Sequence, residues 1–148
     1  MKRLLYLLIP IFIIGCSRSE IDEVKELKRH LQNVNLSGAD LSHLNMRNYD
    51  LSNSSLKNTN LIQADLKGAK LINTNFQGAD LHNANLDGSD CWGADFLSSQ
   101  LEGASFEGAN LTHARFVGAN VKKTNFKNTI GLAADQKAQL KEKGAIFN

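Results

Sequence analysis

From Leu36 to Phe126 a bulky apolar residue returns at every fifth position. Nineteen positions take part: eleven Leu, five Phe, and Met46, Cys91 and Val121. Two residues before each stands a small one, Ala ten times and Ser or Thr six times. Only Val34, Leu44 and Tyr49 depart from that rule, all near the start. Between small and large, fourteen of nineteen units carry Asp or Asn, and eight glycines fall two after the large residue.

Neither regular element accommodates a period of five. On an α-helix five residues advance about 500°, so successive large residues land about 140° apart and form no stripe. On a flat strand an odd period sends them to opposite faces in turn. All nineteen point inward only if the backbone turns once per repeat and winds around a narrow axis. The small residue then fits where the wall comes closest to the axis, and the large one fills the middle. Asn, Asp and Gly suit the turns, because they tolerate unusual dihedrals and bond their own backbone.

These units resemble the pentapeptide-repeat family, whose pattern is A-(D/N)-L-x-x. Ala64-Asp65-Leu66-Lys67-Gly68 and Ala109-Asn110-Leu111-Thr112-His113 are close copies. The resemblance implies an all-β solenoid over residues 34–128, a right-handed quadrilateral β-helix with four repeats per coil. With strands about 4.8 Å apart, the rod would be about 23 Å long. A twenty-residue phase stacks Phe76, Phe96 and Phe116 in one interior column and Phe106 and Phe126 in another.

The open edges of such a stack invite aggregation, and both ends carry a helical pattern. Ile21, Val24, Leu27 and Leu31 predict a capping helix over 21–33, against which Leu44 and Tyr49 are expected to pack. Residues 129–148 read as a C-terminal cap, helix-like from Ala133 to Lys143 with Gly144 as its stop. Leu132, Leu140, Ile146 and Phe147 are expected to close the last coil.

The first fifteen residues have another character. Lys2 and Arg3 precede the apolar run Leu4 to Ile14, which as a helix covers only about 17 Å, against roughly 30 Å of bilayer hydrocarbon. That reads as an export signal, not a span. Ile13-Ile14-Gly15-Cys16 resembles the lipobox of bacterial lipoproteins. The resemblance implies removal of residues 1–15 and acylation of Cys16, with residues 16–20 left as a lipidated tether. The membrane is then a partner through that lipid. Each buried methylene adds about 0.8 kcal/mol, so two or three acyl chains anchor far better than one. By the same resemblance, Ser17 in place of Asp favours the outer membrane, periplasmic side, in a cell that has one.

Cleavage changes the charge picture. The whole chain is formally +2, but Lys2 and Arg3 leave with the signal, and the remainder balances at zero. Over residues 34–128 nine acids face eight bases. Neither a basic nucleic-acid groove nor the strongly acidic rod of the family's DNA mimics is indicated. The gyrase-binding, quinolone-protecting role of those relatives is therefore the lesser alternative.

Little else carries chemistry. His30, His43, His82 and His113 are not at metal-ligand spacing. Cys91 occupies an interior position and reads as an apolar filler. No phosphate loop or Ser/His/Asp arrangement is present, so no catalytic residue, metal, cofactor or small-molecule substrate is expected. On the outside, Ile72 and Trp92 fall in one column and Leu97 and Val117 in the next. This apolar group is the expected patch for a protein partner in the envelope. The expectation is a non-enzymatic, lipid-anchored envelope protein displaying a rigid β-helix as a binding or structural scaffold.

Overall fold

The computed structural model describes residues 31–148. The expected export signal, Cys16 with its expected tether, and residues 21–30 of the expected N-terminal helix lie outside the described residues. From Leu31 to Ile130 the chain winds as a four-sided coil, repeating one pattern of bridge and turn every five residues. Parallel bridges join residues twenty apart, from Asn35 with Ser55 through to Asn110 with Ile130. All nineteen large residues of the repeat are buried. Five coils at about 4.8 Å each make a rod about 24 Å long.

Backbone donors explain the repeat. Below the last coil, the N–H of the large residue and the N–H two after it donate to the next coil, as Leu36 does to Ser55 O and Gly38 to Lys57 O. The N–H before the large residue donates to the previous coil, as Ser55 does to Val34 O. The small residue's N–H closes its own turn, as Ala39 does onto Leu36 O. That leaves one donor, the residue just after the large one, facing outward.

The Asp and Asn residues take that last donor. Ser37 N donates to Asn35 Oδ1 and Lys67 N to Asp65 Oδ1. The same bond forms at each of the fourteen Asp and Asn positions, at 2.9–3.3 Å. These residues therefore sit on the bridges, not in the turns where the sequence reading put them. The turn itself is made two residues after the large one, where φ is positive at all twenty corners from Asn33 to Asn128. Gly and Asn predominate there because they enter the left-handed region at least cost.

The first coil begins earlier than the repeat pattern indicates. Leu31, Gln32 and Asn33 adopt the coil conformation, with Asn33 at φ 57°, in place of the end of a helix. Leu31 N donates to Asp50 O and its side chain joins the core. The helical spacing misled because Leu31 fits both periods, lying four after Leu27 and five before Leu36. Val34, Leu44 and Tyr49, too large for the inner wall, all fall in this first coil and pack half-buried against the core.

At the other end the chain departs from the coil at Gly131, whose φ is 86°. A Cβ there would strike the backbone of Thr112, so only glycine fits. Helix α1, Ala134–Glu142, follows and buries Leu140, with Leu132 buried just before it. The tail then returns to the last coil: Lys123 N donates to Gly144 O, Ile146 N to Thr124 O and Phe126 N to Ile146 O. Phe147 stacks on Phe126 and lengthens the phenylalanine column by one ring. Ile146 pairs through its backbone but leaves its side chain 41% exposed, so it does not help to fill the core.

Candidate functional site

The interior of the coil is filled by the large side chains of the repeat. Every buried side-chain polar atom among the described residues has a partner. Thr59 Oγ1 donates to Leu36 O, Thr74 Oγ1 to Leu51 O and Thr124 Oγ1 to Leu101 O, each reaching the coil before its own. Cys91 is fully buried, and burial pushes its thiol up to about 12 despite the hydrogen-bonded Ser89 hydroxyl 3.1 Å away. A thiol held neutral in this way is no nucleophile at physiological pH.

The described histidines do not converge. His43 and His113 stand at corners with positive φ, and His82 lies on a face with Nδ1 2.5 Å from Asp80 Oδ1. No group of His, Cys, Asp or Glu among the described residues is arranged to hold a metal ion.

On the outer surface Ile72 and Trp92 do share a column, since Asn73 N donates to Trp92 O across one coil. Leu97 and Val117 share another, joined by Ser98 N and Val117 O. Between the two columns runs a third, Asn75, Asp95 and Arg115, in which Arg115 Nη1 meets Asp95 Oδ2 at 3.3 Å. The four apolar side chains thus form two short strips with an ion pair between them. Ile72 and Leu97 are half-buried, whereas Trp92 and Val117 are 41% and 66% exposed. The Trp92 ring meets His113 edge-on at 5.4 Å, which ties it to the corner of the next coil.

The sequence reading balanced charge over the whole chain and so missed its segregation along the rod. Residues 31–110 carry nine acids against four bases, whereas residues 111–148 carry seven bases against two acids. Counting charges coil by coil would have exposed this.

A four-sided parallel solenoid, five coils long, with a filled interior and helical closure at its C-terminal end, is a scaffold by construction. Comparison with known proteins agrees with that class. Pentapeptide repeats match in eight copies over residues 30–68, 64–96 and 98–130. The chain belongs to the pentapeptide-repeat family, and its fold is the family's right-handed β-helix.

Among solved structures it is similar to HetL, a pentapeptide repeat protein involved in heterocyst differentiation regulation from Nostoc sp. strain PCC 7120. Identity is 34%, the TM-score is 0.67, and the match covers 68% of this chain and 42% of HetL. It is also similar to Rfr23 from the cyanobacterium Cyanothece 51142, with 36% identity, a TM-score of 0.50 and coverage of 68% and 63%. A pentapeptide repeat protein of the Arabidopsis thaliana thylakoid lumen is 32% identical, with a TM-score of 0.49 and coverage of 78% and 81%. The chain thus spans about two-fifths of the length of HetL and under two-thirds of Rfr23. No curated protein matches the sequence.

Proposed function

We propose that this chain is a non-enzymatic, lipid-anchored protein of the bacterial envelope, whose rigid β-helix serves as a protein-binding or structural scaffold. The observation that carries the scaffold half is the closed interior. All nineteen large residues of the repeat are buried, and the polar atoms beside them are satisfied. Function then falls to the outer surface, where exposed Trp92 and Val117 with half-buried Ile72 and Leu97 offer a partner apolar contact. The Asp95–Arg115 pair between them offers register. HetL, a relative of the same fold, is involved in regulation, a kind of role that surface contact can serve.

The anchoring half rests on the sequence Ile13-Ile14-Gly15-Cys16 behind a short apolar run. Two experiments test the halves separately. Cys16→Ala is expected to release the protein from membranes and to end palmitate labelling; continued labelling would contradict the anchor. Trp92→Glu, in cells crosslinked before lysis, is expected to abolish the adduct with the envelope partner while the circular dichroism spectrum stays unchanged. An undiminished adduct would remove this patch from the reading.

A further inference from the structure

We infer that the C-terminal end of the rod is a contact surface for anionic phospholipid headgroups in a bilayer. The inference goes beyond the proposed anchor, at which no described residue takes part.

The lysines of the last coil and the tail meet along one rim. Lys123 N donates to Gly144 O at 2.9 Å, and a Cβ on Gly144 would lie 3.7 Å from Lys122 Cα, so Lys143 comes alongside the Lys122–Lys123 corner. Lys141 Nζ lies 5.5 Å over the Phe147 ring, which stacks on Phe126, the neighbour of Lys127. The facing acids are few. Glu102 reaches Lys122 at 4.0 Å, Glu107 lies one coil below Lys127 and accepts from Asn125 Nδ2 at 3.2 Å, and Asp135 and Glu142 sit on α1.

The same rim exposes apolar side chains. Ile146, which pairs with Asn125, is 41% exposed, and Ile130, which pairs with Asn110, is 61% exposed. Lysines interleaved with exposed isoleucines suit a membrane interface: ammonium groups meet phosphates while the apolar tips enter the headgroup boundary. A second copy of the chain is a poorer fit among the described residues, where the nine acids of residues 31–110 are spread over all four faces and offer no matching acidic rim.

The test places a reporter at the rim. In the chain from residue 16 to residue 148, carrying Cys16→Ala and Trp92→Phe, Ile146→Trp supplies a single tryptophan, and emission is read against vesicles. Phosphatidylglycerol vesicles are expected to shift the emission to the blue, and phosphatidylcholine vesicles to leave it unchanged. Adding Lys122→Gln, Lys123→Gln and Lys143→Gln should weaken partitioning roughly a hundredfold. Removing three lysines elsewhere, by Lys57→Gln, Lys67→Gln and Lys70→Gln, should not. An equal response to both lipids, or no loss in the rim variant, overturns the inference. So does a shift that needs no vesicles and grows with protein concentration, which would assign the rim to a second copy. Because Cys16→Ala is present throughout, the outcome is independent of acylation.

Discussion

The rings of Phe76 and Phe96, twenty residues apart in sequence, lie parallel with centroids 4.9 Å apart and 4° between their planes. That separation is the rise of one coil, so the backbone sets the stacking distance. Phe116 continues the column at 5.1 Å from Phe96. The second column, Phe106, Phe126 and Phe147, meets the first edge to face, with Phe96 and Phe106 at 89°. Parallel contacts thus hold coils together along the axis, and edge contacts hold the two walls together across it.

Phe96 has a ring stacked on each face, Phe76 and Phe116, and Phe106 against its edge. Phe96→Ala should therefore cost about 3–5 kcal/mol, since it opens a cavity and unstacks both axial neighbours. Phe96→Leu restores the commonest residue of the repeat and should cost less than half as much. Urea unfolding followed by circular dichroism measures both; equal losses would show that the stacking adds nothing to burial.

Glycine corners separate strain from crowding. The Asn58 side chain occupies the space a Cβ on Gly78 would need, whereas nothing lies within 4 Å of a Cβ on Gly88. Both residues have positive φ, at 66° and 62°. Gly88→Ala should cost only the left-handed strain, about 1 kcal/mol, and Gly88→Asn should be nearly neutral, as asparagine already fills such corners. Gly78→Ala should cost more, and Asn58→Ala in the same chain should recover the difference. Additive losses in the double variant would exclude the clash.

Two buried groups give stability a dependence on pH at both extremes. Burial would raise the Asp50 carboxyl, but hydrogen bonds from Ser52 and Gln32, with Lys70 nearby, outweigh it and hold the group below the usual carboxylate range. Its contribution is present above about pH 4 and disappears as pH falls through the lowered value. Cys91 works in the opposite sense. With its thiol raised by burial from 9.0 to about 12, the unfolded chain ionises first, so stability is lost as pH rises from about 9 to 12. Asp50→Asn should flatten the acid limb of a stability profile and Cys91→Ala the alkaline limb. In the chain carrying Cys16→Ala, Cys91 should react with a thiol reagent only at the rate of unfolding; prompt reaction in the folded state would contradict its burial.

The period of five was enough to deduce a wound chain with every large residue inward, because hydrophobic spacing is a local, one-dimensional property and only one winding buries it. The phenylalanine columns needed also the twenty-residue phase that the family resemblance implied, and the buried Leu132 and Leu140 the helix-like spacing of the tail and its likeness to the family. The role of Asp and Asn was not legible, since it depends on which backbone donors the neighbouring coils leave unpaired. Nor was the start of the coil at Leu31, a residue that satisfies two periods at once until the hydrogen bond to Asp50 O selects one. The ion pair between the two apolar strips and the lysine rim at the C-terminal end were decided only by stacking at twenty residues and by the return of the tail onto Lys123 and Phe126. Charges far apart along a chain become neighbours through packing, and net charge carries no record of where they meet.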